Sequence, residues 1–224
     1  MQKLELKPLK KVWSISNMKS IRKIILYSIL LLAGCFAFCQ HTAAQNWDID
    51  LLKSINPQNP NSAVMKGLSS SVYPIAVAAP VSLLVAGYIK KDLQLKNKGW
   101  ELVGSLAINT AITQGAKYIF NRQRPYAKYP GQVFPASIDT DPSFPSGHTS
   151  TAFATATTLS LEFKKWYVVI PAYVWAAGVG YSRLYLGQHY PTDVIAGALV
   201  GAGSAVLSRW LTQKLLAPHR SSAK

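Results

Sequence analysis

From residue 72 onward the chain alternates long apolar runs with short basic or proline-rich links. The runs lie near Val72–Ile89, Leu102–Ile119, Thr149–Leu161, Tyr167–Tyr181 and Val194–Leu207. They are long, rich in Ala and Leu, and lack period-2 alternation, so they predict helices rather than strands. Pro74, Pro80 and Pro171 are expected to start or kink helices. Residues 45–70 are polar and mixed, and Pro57 and Pro60 break any long helix there. Residues 121–147 carry Pro125, Pro130, Pro135, Pro142 and Pro145 and predict a long loop. A structureless loop of that length is either functional or disordered. The expected organisation is an extension with an export signal or anchor over 1–44, a polar segment over 45–70, a helical core over 71–212 and a basic tail over 213–224.

The leading segment has the order of an export signal. After Met18, the basic Lys19, Arg22 and Lys23 precede an apolar stretch from Ile24 to Phe38, with small residues at Ala43 and Ala44. Three fates fit: cleavage, retention as a first transmembrane helix, or lipidation at Cys35 of Leu32-Ala33-Gly34-Cys35. Phe36-Ala37-Phe38 continues the apolar run and argues against the last. All three carry the following residues across a membrane. Cys35 and Cys39 are the only cysteines, so the body has neither a disulfide framework nor a cysteine metal site.

Composition alone leaves spans and buried core helices both open. Charged residues make up 15% of the chain, against about 25% in soluble proteins. A span needs about 20 apolar residues; the first run meets this, and the third and fourth are short. Charge placement separates the two readings. With residues 45–71 outside, the links holding Lys90, Lys91, Lys96 and Lys98, then Lys164 and Lys165, fall inside, as does the tail with Arg209, Lys214, Arg220 and Lys224. Every inner segment is basic, as the positive-inside rule requires, and Trp100, Trp166 and Trp210 fall near inner boundaries. The expected fold is therefore an all-α bundle of five or six apolar transmembrane helices with a long outer loop. A soluble exported helical domain with scattered surface lysines is the competing reading. The net charge of +15 also suits anionic partners, but no helix-turn-helix, zinc-finger or aromatic RNA-binding pattern accompanies it, so nucleic acid is set aside.

The same alternation puts three polar clusters on one outer face. The first holds Lys117 and Arg124-Pro125, the second Pro145-Ser146-Gly147-His148, and the third Ser182-Arg183, His189 and Asp193. Lys117 supplies a point cation, and Arg124 and Arg183 supply forks suited to phosphate. Singly, each would read as a solvated charge, as Arg122 and Lys128 do. Ser146 can cap the helix that follows, and Gly147 lets an anion approach backbone N–H groups there. His189 and Asp193 are four apart, so Asp193 can reach back to His189 Nδ1 and leave Nε2 free to attack. Together the parts suit a two-step displacement: His189 is the nucleophile, His148 the general acid and then base, and Asp193 orients His189. Lys117, Arg124, Arg183 and the Ser146 and Gly147 amides hold the phosphate oxygens. A neutral and a protonated histidine imply a bell-shaped pH profile.

In order and spacing, these residues resemble the tripartite signature of the type 2 phosphatidic acid phosphatase superfamily: Lys-x6-Arg-Pro, Pro-Ser-Gly-His, and Ser-Arg-x5-His-x3-Asp. Every signature position is filled across 117–193, and the flanking helices extend the likeness to about 65–210. The resemblance implies an all-helical core and phosphatase activity without metal or other cofactor. It also implies the histidine roles given above. The family includes membrane lipid phosphatases, soluble exported acid phosphatases and the longer vanadium haloperoxidases. The leading expectation is hydrolysis of a lipid phosphate or pyrophosphate on the outer, periplasmic face of a bacterial cytoplasmic membrane. The alternative is a soluble periplasmic acid phosphatase of broad specificity. A non-catalytic anion- or lipid-binding membrane protein is disfavoured by the complete catalytic set.

Overall fold

Each of the five apolar runs becomes a helix, and the differences from expectation lie mostly at their ends. The structure, a computed structural model, describes residues 42–216. The export-signal pattern before that range, with Cys35 and Cys39, and the tail beyond it lie outside the described residues. In chain order the helices are α1 (Thr42–Ile55), α2 (Ala63–Ser70), α3 (Val72–Ile89), α4 (Leu93–Phe120), α5 (Pro125–Lys128), α6 (Gly147–Phe163), α7 (Trp166–Tyr185) and α8 (Pro191–Leu216). Every regular element among the described residues is helical. The described residues from Asn46 onward form one compact unit, and the packing below is that unit's.

Two expectations need correcting. The basic link over 90–99 shrinks to Lys90–Asp92, because α4 starts at Leu93. Asp92 caps it, its Oδ1 accepting from Gln94 N at 2.8 Å and Leu95 N at 3.2 Å. Lys96 and Lys98 therefore lie on a helix, above the rings of Tyr88 and Phe163 at 4.5 and 4.3 Å from their centroids. The polar segment 45–70 is also helical, as α1 and α2 on either side of the break around Pro57 and Pro60. Polar residues hide both from an apolar-run search. Pro80 and Pro171 lie inside α3 and α7 without ending either.

The central helix is α6, which packs against α3, α4, α7 and α8. Its sequence of Ala, Thr and Ser lets neighbours approach closely. Ala152, Ala154 and Ala156 are fully buried. Gly201 of α8 lies against this surface: a Cβ there would sit 2.1 Å from Ser150 O and 2.8 Å from Ala154 N. Gly197, one turn earlier, would place one 2.7 Å from Ser146 O. This Gly-xxx-Gly spacing thus serves packing within the chain.

Polarity is arranged inside out. Helix α4 buries a polar residue every fourth position: Glu101, Ser105, Asn109, Thr113 and Lys117. Thr113 Oγ1 meets Ser150 Oγ at 3.1 Å, and Asn109 Nδ2 donates to Thr151 Oγ1 at 3.3 Å. The outer surface is apolar instead. Along α3, Val77, Val81 and Val85 are 63%, 50% and 50% exposed, and Tyr167, Ile170 and Val174 of α7 are exposed as well. By length and composition, Val72–Ile89 and Pro191–Lys214 suffice to cross a membrane. The buried polar stripe lowers the hydropathy of α4 although the helix is long.

Gly201→Ala is expected to force α6 and α8 apart and to destabilise the fold by about 1–3 kcal/mol, the usual cost of overpacking. A thermal melt of the detergent-solubilised protein measures it. Gly203→Ala, where a Cβ meets nothing within 4 Å, is expected to melt like the parent.

Candidate active site

One end of the bundle gathers all three polar clusters. Lys117 stands on the last turn of α4, and the left-handed Asn121 ends that helix and turns the chain into the loop. Arg124 is extended (φ −66, ψ 150), the conformation that a following proline imposes, and Pro125 opens α5. Ser146 caps α6, its Oγ accepting from Thr149 N at 3.5 Å. Ser182 and Arg183 close α7, His189 lies in the link to α8, and Asp193 sits in the first turn of α8. Gly187 makes that link possible. Its φ is +67, and a Cβ would lie 2.4 Å from Phe134 O.

The cations are buried together. Lys117, Arg124 and Arg183 are 4%, 6% and 5% exposed. Arg183 Nη1 donates to Ser69 Oγ of α2 at 2.6 Å, while its buried Nε has no hydrogen-bond partner among the described residues. At Gly147 a Cβ would meet only Thr113 Cγ2 at 3.9 Å, so a side chain there would find room. His148, on the first turn of α6, lies edge-on to Tyr73 with centroids 5.0 Å apart, within electrostatic reach of Arg183, His189 and Arg124.

His189 is almost fully buried. Its Nδ1 lies 2.8 Å from the Ser143 carbonyl and 3.5 Å from Asp193 Oδ2. A carbonyl can only accept, so Nδ1 carries the proton and Nε2 keeps its lone pair. The expected Asp193 contact is present, but the main-chain carbonyl is the nearer partner. Burial pushes the His189 pKa down to about 4; Asp193 opposes that shift, and Arg183 and Arg124 add to it. The imidazole is therefore neutral at physiological pH.

Two loop carboxylates face the cations. Asp141 contacts Lys117 Nζ at 2.8 Å and Arg124 Nη2 at 2.5 Å. Asp139 lies 3.4 Å from Arg124 and 3.7 Å from Arg183. Partial burial alone would raise the Asp141 pKa, but hydrogen bonds from Lys117 and Arg124 outweigh it and hold it at about 2. Beside them a cleft of ≈ 320 Å³ opens between Arg122, Arg124, Tyr126 and Asp139–Pro142. The sequence does carry a signal for these residues. The chain has only 9 acidic residues, and Asp48, Asp139, Asp141 and Asp193 all lie here.

Arg122, read from sequence as an ordinary surface charge, is a correction. It is bonded to Asp193 Oδ1 at 2.5 Å and to Asp48 Oδ2 at 2.7 Å. Tyr126 and Tyr129 pack on Ile49, Leu52, Val133, Leu184 and Tyr190, so they brace the loop.

Three buried cations, two histidines and a buried aspartate thus meet at one end of an all-helical bundle. The chain belongs to the PAP2 superfamily, whose profile matches residues 98–217. It is 36% identical over 110 residues to an undecaprenyl-diphosphatase of Sulfolobus acidocaldarius, covering 49% of this chain and 53% of that one. It is 40% identical over 78 residues to a lipid A 4'-phosphatase of Bacteroides thetaiotaomicron, covering 35% of each. The chain thus spans about half or less of the length of these curated relatives. Among solved structures, Aquifex aeolicus LpxE superposes with a TM-score of 0.59 at 27% identity, covering 73% of this chain and 95% of that one. A transmembrane PAP2-type phosphatidylglycerolphosphate phosphatase from Bacillus subtilis gives 0.64 at 23% identity, covering 86% and 96%; at that identity it speaks for the fold alone.

Asp141→Asn is expected to leave Lys117 and Arg124 short of a counter-charge. Inorganic phosphate should then raise the melting temperature of the variant more than that of the parent at neutral pH, because an anion bound only by the folded state stabilises it. The depressed pKa means Asp141 is ionised there, and its contribution fades only as pH falls toward about 2. Equal phosphate shifts in both proteins would refute the pairing.

Proposed function

We propose that the protein is a membrane-embedded phosphatase that hydrolyses a lipid phosphate or diphosphate through a phosphohistidine on His189. The observation that carries this is the buried His189, its Nδ1 2.8 Å from the Ser143 carbonyl, at the same end of the bundle as three buried cations. Lys117, Arg124, Arg183 and the Ser146 and Gly147 amides bind the phosphoryl oxygens, and the substrate phosphate displaces the carboxylates of Asp139 and Asp141. His189 Nε2 attacks phosphorus, an N–P bond forms, and the bond to the leaving oxygen breaks. His148 gives its proton to that oxygen. Water then attacks the phosphohistidine and passes a proton to His148, and the N–P bond breaks. Inorganic phosphate leaves and both histidines return to their starting states. Asp193 orients His189 and stabilises the charge it acquires.

Apolar residues on the outer faces of α3 and α7 support a lipid setting. So do relatives named for undecaprenyl diphosphate and lipid A. Basic links at the far end of the bundle support a periplasm-facing site in a bacterial inner membrane. The candidate substrates are undecaprenyl pyrophosphate, phosphatidylglycerol phosphate, phosphatidate and lipid A phosphate, which share a terminal phosphate on an apolar anchor.

Detergent-purified protein is expected to release phosphate from at least one of these lipids, with chelator leaving the rate unchanged. His189→Ala should abolish turnover while phosphate still binds. The acid limb of kcat/KM should fall near pH 4, where His189 gains a proton and loses its attacking lone pair. Unchanged turnover in His189→Ala would remove the nucleophile. Recovery of active protein by osmotic shock without detergent would replace the membrane reading with a soluble one.

A further inference from the structure

Arg122 belongs to none of the three phosphate clusters, yet it touches both groups that hold His189. Its main-chain carbonyl accepts from Ser143 N at 2.8 Å, and the Ser143 carbonyl in turn faces His189 Nδ1 at 2.8 Å. Its guanidinium binds Asp193 Oδ1 at 2.5 Å and Thr192 Oγ1 at 2.7 Å through Nη1, and Asp48 Oδ2 at 2.7 Å through Nη2. The ring of Tyr190 lies 3.8 Å from Cζ. Asp193 uses its other oxygen, Oδ2, to accept from Tyr190 N at 3.0 Å and to face His189.

Asp48 fixes the far side of this arginine. It comes from α1 and is 2% exposed. Its Oδ1 accepts from Thr192 N at 2.9 Å, and its Oδ2 from Thr192 Oγ1 at 2.6 Å. One aspartate therefore grips both Arg122 and the first turn of α8 that carries Asp193. The position lies outside the stretch matched by the family profile, residues 98–217. Asn56, at the end of the same helix, bonds the main chain of Phe134 in both directions and the Tyr185 carbonyl. The helix is thus tied to the loop and to the end of α7.

We propose that Arg122, held by Asp48, is a positioning residue that sets the orientation and basicity of His189 through Asp193. The row Asp48, Arg122, Asp193, His189 alternates in charge when the histidine is protonated. A buried Asp193 without Arg122 would be an uncompensated charge. With Arg122 at full strength, its negative charge is shared, and its pull on the His189 proton is moderated. Asp48 divides the attention of Arg122 and returns part of that pull. His189 also faces Arg183 on α7, Arg124 in the loop and His148 on α6. Changes at Arg122 and Asp48 leave those groups in place.

The inference rests on His189 as the nucleophile, and the test separates the two. Full-length protein in detergent is assayed for phosphate release across pH as the parent, Arg122→Gln, Arg122→Lys, Asp48→Asn and His189→Ala, with a melt for each. Arg122→Gln is expected to lower kcat by on the order of tenfold to a hundredfold, as loss of an outer partner of a working histidine does. KM and inhibition by inorganic phosphate should hold, since the phosphate cations are untouched. The acid limb should move up in Arg122→Gln, where a nearby positive charge is gone, and down in Asp48→Asn, where a negative one is gone. Arg122→Lys keeps the charge and should restore the limb without restoring all of kcat. If Arg122→Gln does not fold, the isosteric Asp48→Asn carries the test, and its limb must still move down. Folded variants with parental kcat and limb, or a loss of kcat with no limb shift, would overturn the role. Full turnover in His189→Ala would sink the catalytic reading itself, and the role of Arg122 with it.

Discussion

Three buried cations gathered at one end of the bundle repel one another, and the rest of the site answers that repulsion. Lys117, Arg124 and Arg183 come from different elements and are each almost fully buried. Like charges in a low-dielectric setting are costly unless carboxylates, carbonyls or a bound anion compensate them. Asp139 and Asp141 supply the compensation from the loop, together with the Asp141 and Pro142 carbonyls. The long loop is thus ordered because its acidic segment is pulled into the cation cluster. Burial, with Arg183 and Arg124 adding to it, also lowers the basicity of His189.

The bundle below the site solves a different problem. Its helices are held by Thr, Ser, Asn and small residues at their mutual faces, and valines, isoleucines and aromatics point outward. In water this arrangement would waste apolar area. Against hydrocarbon tails it is economical, because interior hydrogen bonds and close packing are what distinguish helix neighbours from lipid. The polar stripe of α4 ends at Lys117, so the register that packs the bundle also aims a cation at the loop carboxylate of Asp141.

Much of this was legible in the chain. Val72–Ile89 matched its helix at both ends, and each signature residue lies at the same end of the bundle. What escaped had physical causes. The first turns of α4 and all of α1 and α2 are polar enough to hide from an apolar-run search. Arg122 looked ordinary because its meaning comes from Asp48 and Asp193, which lie 74 and 71 positions away. Spacing points to Asp193 as a partner of His189, because spacing reports side chains. A carbonyl contributed by Ser143 leaves no mark in residue identity.

That carbonyl has a consequence for inheritance. Any amino acid at position 143 presents the same oxygen, so a point substitution there does not delete the acceptor. Only a shift in the path of the backbone can remove it. The orientation of the His189 ring is thereby entrusted partly to the shape of a loop, a trait that residue-by-residue scanning overlooks and that insertions or deletions nearby would expose.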